Sequence, residues 1–95
     1  MLTEVIGRTA MLEQTAEECI ELAHACLKLA RHERGENKVH KSLDEMNDNL
    51  CEEMADVVIC FNELMDSNII SSDCLNLKIN EKIDRMERRL SGKDD

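Results

Sequence analysis

Four carboxylates stand out by their spacing: Glu18 with Glu21, and Glu53 with Asp56. The members of each pair are three residues apart, and residues so spaced lie side by side on a helix surface. A helix carrying such a pair projects two carboxylates in one direction. If two such helices pack antiparallel, the pairs face each other across the seam and four carboxylates surround one pocket. Like charges at that range raise carboxyl pKa values, and a divalent cation removes the conflict. Magnesium suits this role, since it takes near-octahedral oxygen coordination through a few carboxylates plus substrate phosphates. The acids also border apolar residues: Leu22 follows Glu21 and Val57 follows Asp56. A single acidic pair on a helix is most often a solvated face; two pairs on separate helices, each beside an apolar stripe, carry the signal.

Positioning these acids takes helices, and the composition favours them. The chain has 95 residues, enough for one small domain. Phe61 is the only aromatic residue, proline is absent and there are three glycines. Strands draw on aromatic and β-branched residues, so the composition predicts an all-α bundle. Residues 1–7 read as a short helix or an extended lead-in, broken at Gly7. From Thr9 to Arg31, Leu12, Ala16, Cys19, Ala23, Cys26 and Ala30 recur at spacings of four and three, the seam of one long helix. Thr15 and Glu18 are spaced like a capping box, but the stripe crosses that point unbroken and predicts a continuous helix.

Arg31–Lys41 is polar, holds Gly35 and reads as a loop. Ser42 and Glu45 form a capping box that opens the next helix. Its seam is Leu43, Leu50, Val57 and Leu64, with Met54 and Phe61 between them. The stretch Met54–Phe61 is apolar nearly all round apart from Asp56, which predicts a helix central to the bundle. That helix ends near Ser67 and Asn68. Ser71, Ser72 or Asp73 caps a last helix with Ile79, Ile83, Met86 and Leu90 on one face and Lys78, Lys82, Arg85, Arg88 and Arg89 on the others. Residues 91–95 read as a frayed tail of the single domain. A chain this small with stripes this wide predicts a homodimer at least, or a tetramer, with helices of several copies completing the core.

The formal net charge is −9. Such a chain repels nucleic-acid backbones and anionic membranes, so neither a nucleic-acid polymer nor a membrane is an expected partner. The first ten residues hold no signal-type apolar run, and no stretch is long enough to span a membrane. Five cysteines at scattered positions, with no C-x-x-C, read as reduced thiols in a cytoplasmic protein. Cys19, Cys26 and Cys60 sit among apolar residues as small hydrophobes. His24, His32 and His40 are too dispersed to converge as ligands, and no Gly-rich phosphate loop, zinc spacing or serine–histidine–acid arrangement is present.

Glu17-Glu18-Cys19-Ile20-Glu21-Leu22 fits E-E-x-x-E-L, and Glu52-Glu53-Met54-Ala55-Asp56-Val57 fits E-E-x-A-D-V. In this order they resemble the signature of the MazG-like all-α nucleoside triphosphate pyrophosphohydrolases. Gly7 and Gln14 before the first motif, and Ala25, Lys28 and Arg31 after it, are spaced as in the short phage-type members. Lys82, Arg85 and Arg89 are similar to the basic closing helix, so the likeness covers roughly residues 6–90. The stretch Leu22–Glu52 departs from the family by its length, which an extended loop at 31–41 would absorb.

The resemblance implies a helical bundle of this pyrophosphatase type. It implies cleavage of a ribo- or deoxyribonucleoside triphosphate between its α- and β-phosphates, giving the monophosphate and pyrophosphate, as in nucleotide-pool housekeeping. Carried onto this chain, Glu18, Glu21, Glu53 and Asp56 hold Mg2+, with Mn2+ as a substitute. Glu17, Glu18 or Glu53 orients or deprotonates the attacking water. Lys82 and Arg85 are the first choice among the basic residues for holding phosphates. Two other readings stand beside this one: an enzyme like phosphoribosyl-ATP pyrophosphatase, and a helical dimer that only binds a nucleotide or a protein. The absence of Trp and Tyr removes the usual partners for stacking a base, and Phe61 reads as a core residue.

Overall fold

The computed structural model describes residues 2–36 and 41–92. They form four helices: α1 (Leu2–Ile6), α2 (Arg8–Glu33), α3 (Leu43–Asp66) and α4 (Ser72–Leu90). No strand occurs among the described residues, so the all-α class follows from composition as expected. None of these helices is long and apolar enough to cross a membrane.

Local chemistry explains where each helix begins and ends. Gly7 separates α1 from α2 at φ +90° and ψ 163°, a region open essentially to glycine alone. The Thr3 backbone N–H donates to Glu63 Oε1 at 2.6 Å, which ties α1 to α3. α2 is continuous through Thr15, whose hydroxyl donates back to the Met11 carbonyl at 2.8 Å instead of capping a new helix. It ends later than the sequence indicates. Gly35 takes a left-handed φ of +71°, and the Gly35 and Glu36 N–H groups bond the His32 and Arg31 carbonyls, a Schellman closure. Arg31 therefore belongs to the helix. Residues 37–40, His40 included, lie outside the described residues.

The predicted Ser42 cap is present, its hydroxyl accepting from the Glu45 N–H. α3 closes through Asn68 at φ 59°; Asn68 and Ile69 N–H groups bond the Met65 and Leu64 carbonyls. Ile69 then folds onto the core cluster of Met11, Cys60 and Leu64. Of the three candidates, Ser71 caps α4. At the far end Ser91 caps α4 and Gly92 turns left-handed; the rest of the expected tail lies outside the described residues.

α2 and α3 form an antiparallel hairpin, since Met11 near the start of one packs against Cys60 and Leu64 near the end of the other. α1 lies against both, while α4 packs along none of the other helices and buries no residue. Two expectations are corrected here. The inner seam of α2 is Met11, Thr15, Glu18, Leu22, Ala25 and Leu29, one residue away from the predicted stripe, a rotation of about 100°. In α3 the seam runs through Met46, Leu50, Glu53, Val57, Cys60 and Leu64. Leu43, Met54 and Phe61 are instead 47%, 47% and 45% exposed, so Phe61 is not a core residue of the chain. Cys60 is buried and Cys19 half-buried, but Cys26 is exposed. α3 is therefore not surrounded by helices of its own chain: with apolar residues on two flanks, it has partners on only one.

Candidate metal centre

The seam shift places acids where the sequence put apolar residues. Glu18 of α2 and Glu53 of α3 occupy inner positions and are half-buried, while Asp56 sits one turn from Glu53 at the edge of the seam. One carboxylate oxygen from each of Glu18, Glu53 and Asp56 lies within 4.8 Å of the others. The three carboxylates would hold one oxygen-seeking cation between them.

Glu18 Oε1 accepts a hydrogen bond from Gln14 Nε2 at 2.8 Å. Its other oxygen, Oε2, is buried without a partner, and so is Oε2 of Glu53. Buried carboxylate oxygens without a partner are costly, and here two point to the same need for positive charge. Burial pushes the Glu18 carboxyl above its ordinary pKa, and the charges of Glu21 and Asp56 add to the rise. Glu21 thus adjoins Glu18 but stands outside the three-oxygen group. The donor set is all oxygen, which fits a hard divalent cation and not a thiolate-bound one.

A shallow cleft of about 170 Å³ opens beside the acids, lined by Leu2, Gln14, Glu18, Asp56, Ile59 and Cys60. Leu2 reaches it because Gly7 turns α1 back and Glu63 holds it. Glu63 is itself held below the ordinary carboxylate range by the Thr3 N–H. Burial raises the Cys60 thiol, with Glu18 and Asp56 adding to the rise and Thr15 opposing it.

The remaining candidates are not gathered here. Glu17 is exposed, turned about 100° from Glu18 around the helix. Lys82 and Arg85 lie on α4, apart from the cleft, where every side chain from Asn76 to Leu90 is exposed. Along that helix Lys78 pairs with Glu81 and Arg88 with Asp84. Sequence reasoning gave no role to Leu2 and Ile59, whose place beside the acids depends on the α1 turn. Gln14 entered the sequence reading only through the resemblance; its contact with Glu18 is also what a Gln four residues before a Glu makes on a helix face.

Comparison with protein-family models, with curated proteins and with solved structures returns no match to this chain.

One consequence is measurable without any substrate. The folded chain holds the Glu18 proton more tightly than the unfolded chain, whose carboxyl titrates near 4.5. Metal-free protein therefore gains stability from Glu18 as the pH falls from neutral toward that value, and loses it as the pH rises through the folded pKa. Glu63, with its lowered pKa, acts with the opposite sign. Comparison of the wild type with Glu18→Gln isolates the Glu18 part. Thermal unfolding in chelator at about pH 7 and about pH 5 should favour the lower pH more in the wild type than in the variant. An identical pH response would contradict the crowding of these acids.

Proposed function

We propose that this chain is a magnesium-dependent nucleoside triphosphate pyrophosphohydrolase, releasing the monophosphate and pyrophosphate from a nucleoside or deoxynucleoside triphosphate. The observation that carries the reading is the pair of buried, unpartnered oxygens on Glu18 and Glu53, set in a three-carboxylate group beside an open cleft. The motif resemblance supplies the reaction; the acid cluster is compatible with it.

Glu18, Glu53 and Asp56 would hold Mg2+ or Mn2+, with Glu21 beside Glu18 as the fourth carboxylate. The ion would neutralise phosphate charge and lower the pKa of bound water. Phosphoryl transfer asks mostly for positioning and charge stabilisation, so carboxylates and a few cations suffice. Glu18 or Glu53 orients the attacking water from the seam. Glu17 would need to turn through a third of the helix circumference to do the same. Lys82 and Arg85 would hold the phosphates only if packing between copies brings α4 to the cleft. The protein works in the cytoplasm as a homo-oligomer, where its free thiols stay reduced.

The test is an assay of pyrophosphate release with magnesium across canonical and modified nucleoside triphosphates, with phosphoribosyl-ATP included. The expected products are a monophosphate and pyrophosphate in equal amounts. Orthophosphate as the product would exclude α–β cleavage. Magnesium-dependent nucleotide binding without turnover would make the chain a binding module.

A further inference from the structure

We propose that α1 is a hinged strap over the acid cleft: it turns on Gly7, is latched by Glu63, and closes the cleft with Leu2. The proposal rests on the reading of that cleft as a nucleotide site, since a strap has a purpose only where a ligand must enter.

The closed cleft is too small for the ligand that the acids suit. With Leu2 in place it holds about 170 Å³. Sites that bury a drug-sized ligand hold roughly 300–1,000 Å³, and a nucleoside triphosphate is no smaller than such a ligand. A lining element must therefore move. α2 and α3 are joined by the buried cluster of Met11, Cys60 and Leu64, so shifting either would open the core. α1 is different: none of its residues is buried, and Leu2, Val5 and Ile6 are exposed. Segments with few buried apolar contacts open with little free energy.

Gly7 supplies the hinge. Its φ of +90° and ψ of 163° turn α1 back from the line of α2, in a region essentially limited to glycine. A Cβ built at Gly7 meets no atom within 4 Å, so backbone freedom and not lack of room requires glycine there. With helical φ and ψ at residue 7, α1 would run on as an extension of α2 and carry Leu2 off the cleft.

Glu63 supplies the latch. Its Oε1 accepts from the Thr3 N–H at 2.6 Å. Thr3 lies in the first turn of α1, where N–H groups lack partners within the helix, so the Glu63 carboxylate also caps α1 from a neighbouring helix. Leu2, next to Thr3, is at the end of α1 farthest from the hinge, where a swing moves it most. Glu63 stands two turns beyond Asp56 on α3, outside the three clustered acids. Latch and metal group can therefore be altered separately.

Cys60 reports the strap without any substrate. It is buried and lines the cleft with Leu2, so lifting α1 uncovers its thiol. The native chain is alkylated with iodoacetamide and labelling is followed at each cysteine by mass spectrometry, with the exposed Cys74 as internal reference. Relative to Cys74, Cys60 should label at least about tenfold faster in Gly7→Ala and in Glu63→Ala than in the wild type. Glu63→Gln keeps an acceptor oxygen and should fall between. Low urea separates strap opening from unfolding. A local opening exposes little surface, so its rate stays flat where global unfolding rises steeply. Unchanged Cys60 labelling in Gly7→Ala and Glu63→Ala, or labelling that rises with urea as global unfolding does, overturns the proposal. A second arm adds magnesium and a non-hydrolysable nucleoside triphosphate, which should slow Cys60 labelling in the wild type. Fast labelling in the variants with no effect of the nucleotide would support the strap and remove the nucleotide reading.

Discussion

Glu53→Gln should abolish pyrophosphate release while leaving the helix content unchanged. Glu53 sits on the inner seam of α3, and its Oε2 is buried without a hydrogen-bond partner. Glutamine keeps the volume but loses the charge, and it places an NH2 donor where a cation needs an oxygen acceptor. Loss of one pre-set electrostatic contact commonly costs 10²–10³-fold in turnover. Loss of a metal ligand belongs at or beyond the upper end of that range, about 4 kcal/mol in the barrier. The measurements are turnover on the best nucleotide, circular dichroism, and magnesium titration by calorimetry. Turnover within tenfold of the wild type would remove Glu53 from the centre. Without metal the variant should unfold at a higher temperature, since one of several crowded like charges is gone.

The second large effect concerns the core. Met11 is fully buried, at 0% exposure, and meets Cys60 and Leu64 where the hairpin closes. Met11→Ala should cost about 2–5 kcal/mol in urea denaturation, from lost transfer energy plus the cavity left behind. A small domain has roughly 5–15 kcal/mol in all, so the variant loses a large share of its stability and unfolds at lower urea. Glu17→Ala, on the exposed face of the same helix, should stay within about 0.5 kcal/mol. A cost below about 1 kcal/mol for Met11→Ala would show that the hairpin does not close where Met11, Cys60 and Leu64 meet. The two variants also separate stability from chemistry: Glu53→Gln loses turnover while folded, and Met11→Ala loses stability while keeping the acids in place.

Much of the local structure was legible because its causes are local. Ser42 and Ser71 cap helices by reaching N–H groups three residues on. Gly7 interrupts the chain because its φ of +90° suits no other residue. The end of α2 was placed two residues early because His32 and Glu33 are polar yet helical; Gly35 was the stop, and polarity was not. The carboxylate pairs were legible as pairs because three-residue spacing is a property of one helix. Leu2 was not legible as part of the cleft, since it arrives there through the Gly7 turn and the Thr3–Glu63 hydrogen bond.

The amino-acid order on its own determined four things: helices throughout, their approximate limits, two acidic pairs, and apolar stripes on α2 and α3 wide enough to bury. It did not determine which edge of each stripe faces the neighbouring helix. Adjacent stripes one residue apart differ by about 100° around the helix, and both satisfy the same three–four periodicity. Only tertiary packing chose. It turned Met11 and Cys60 inward, drew Glu18 and Glu53 into the seam with them, and left Phe61 and Met54 outside. Periodicity is a property of one helix, whereas burial depends on what a second helix leaves uncovered.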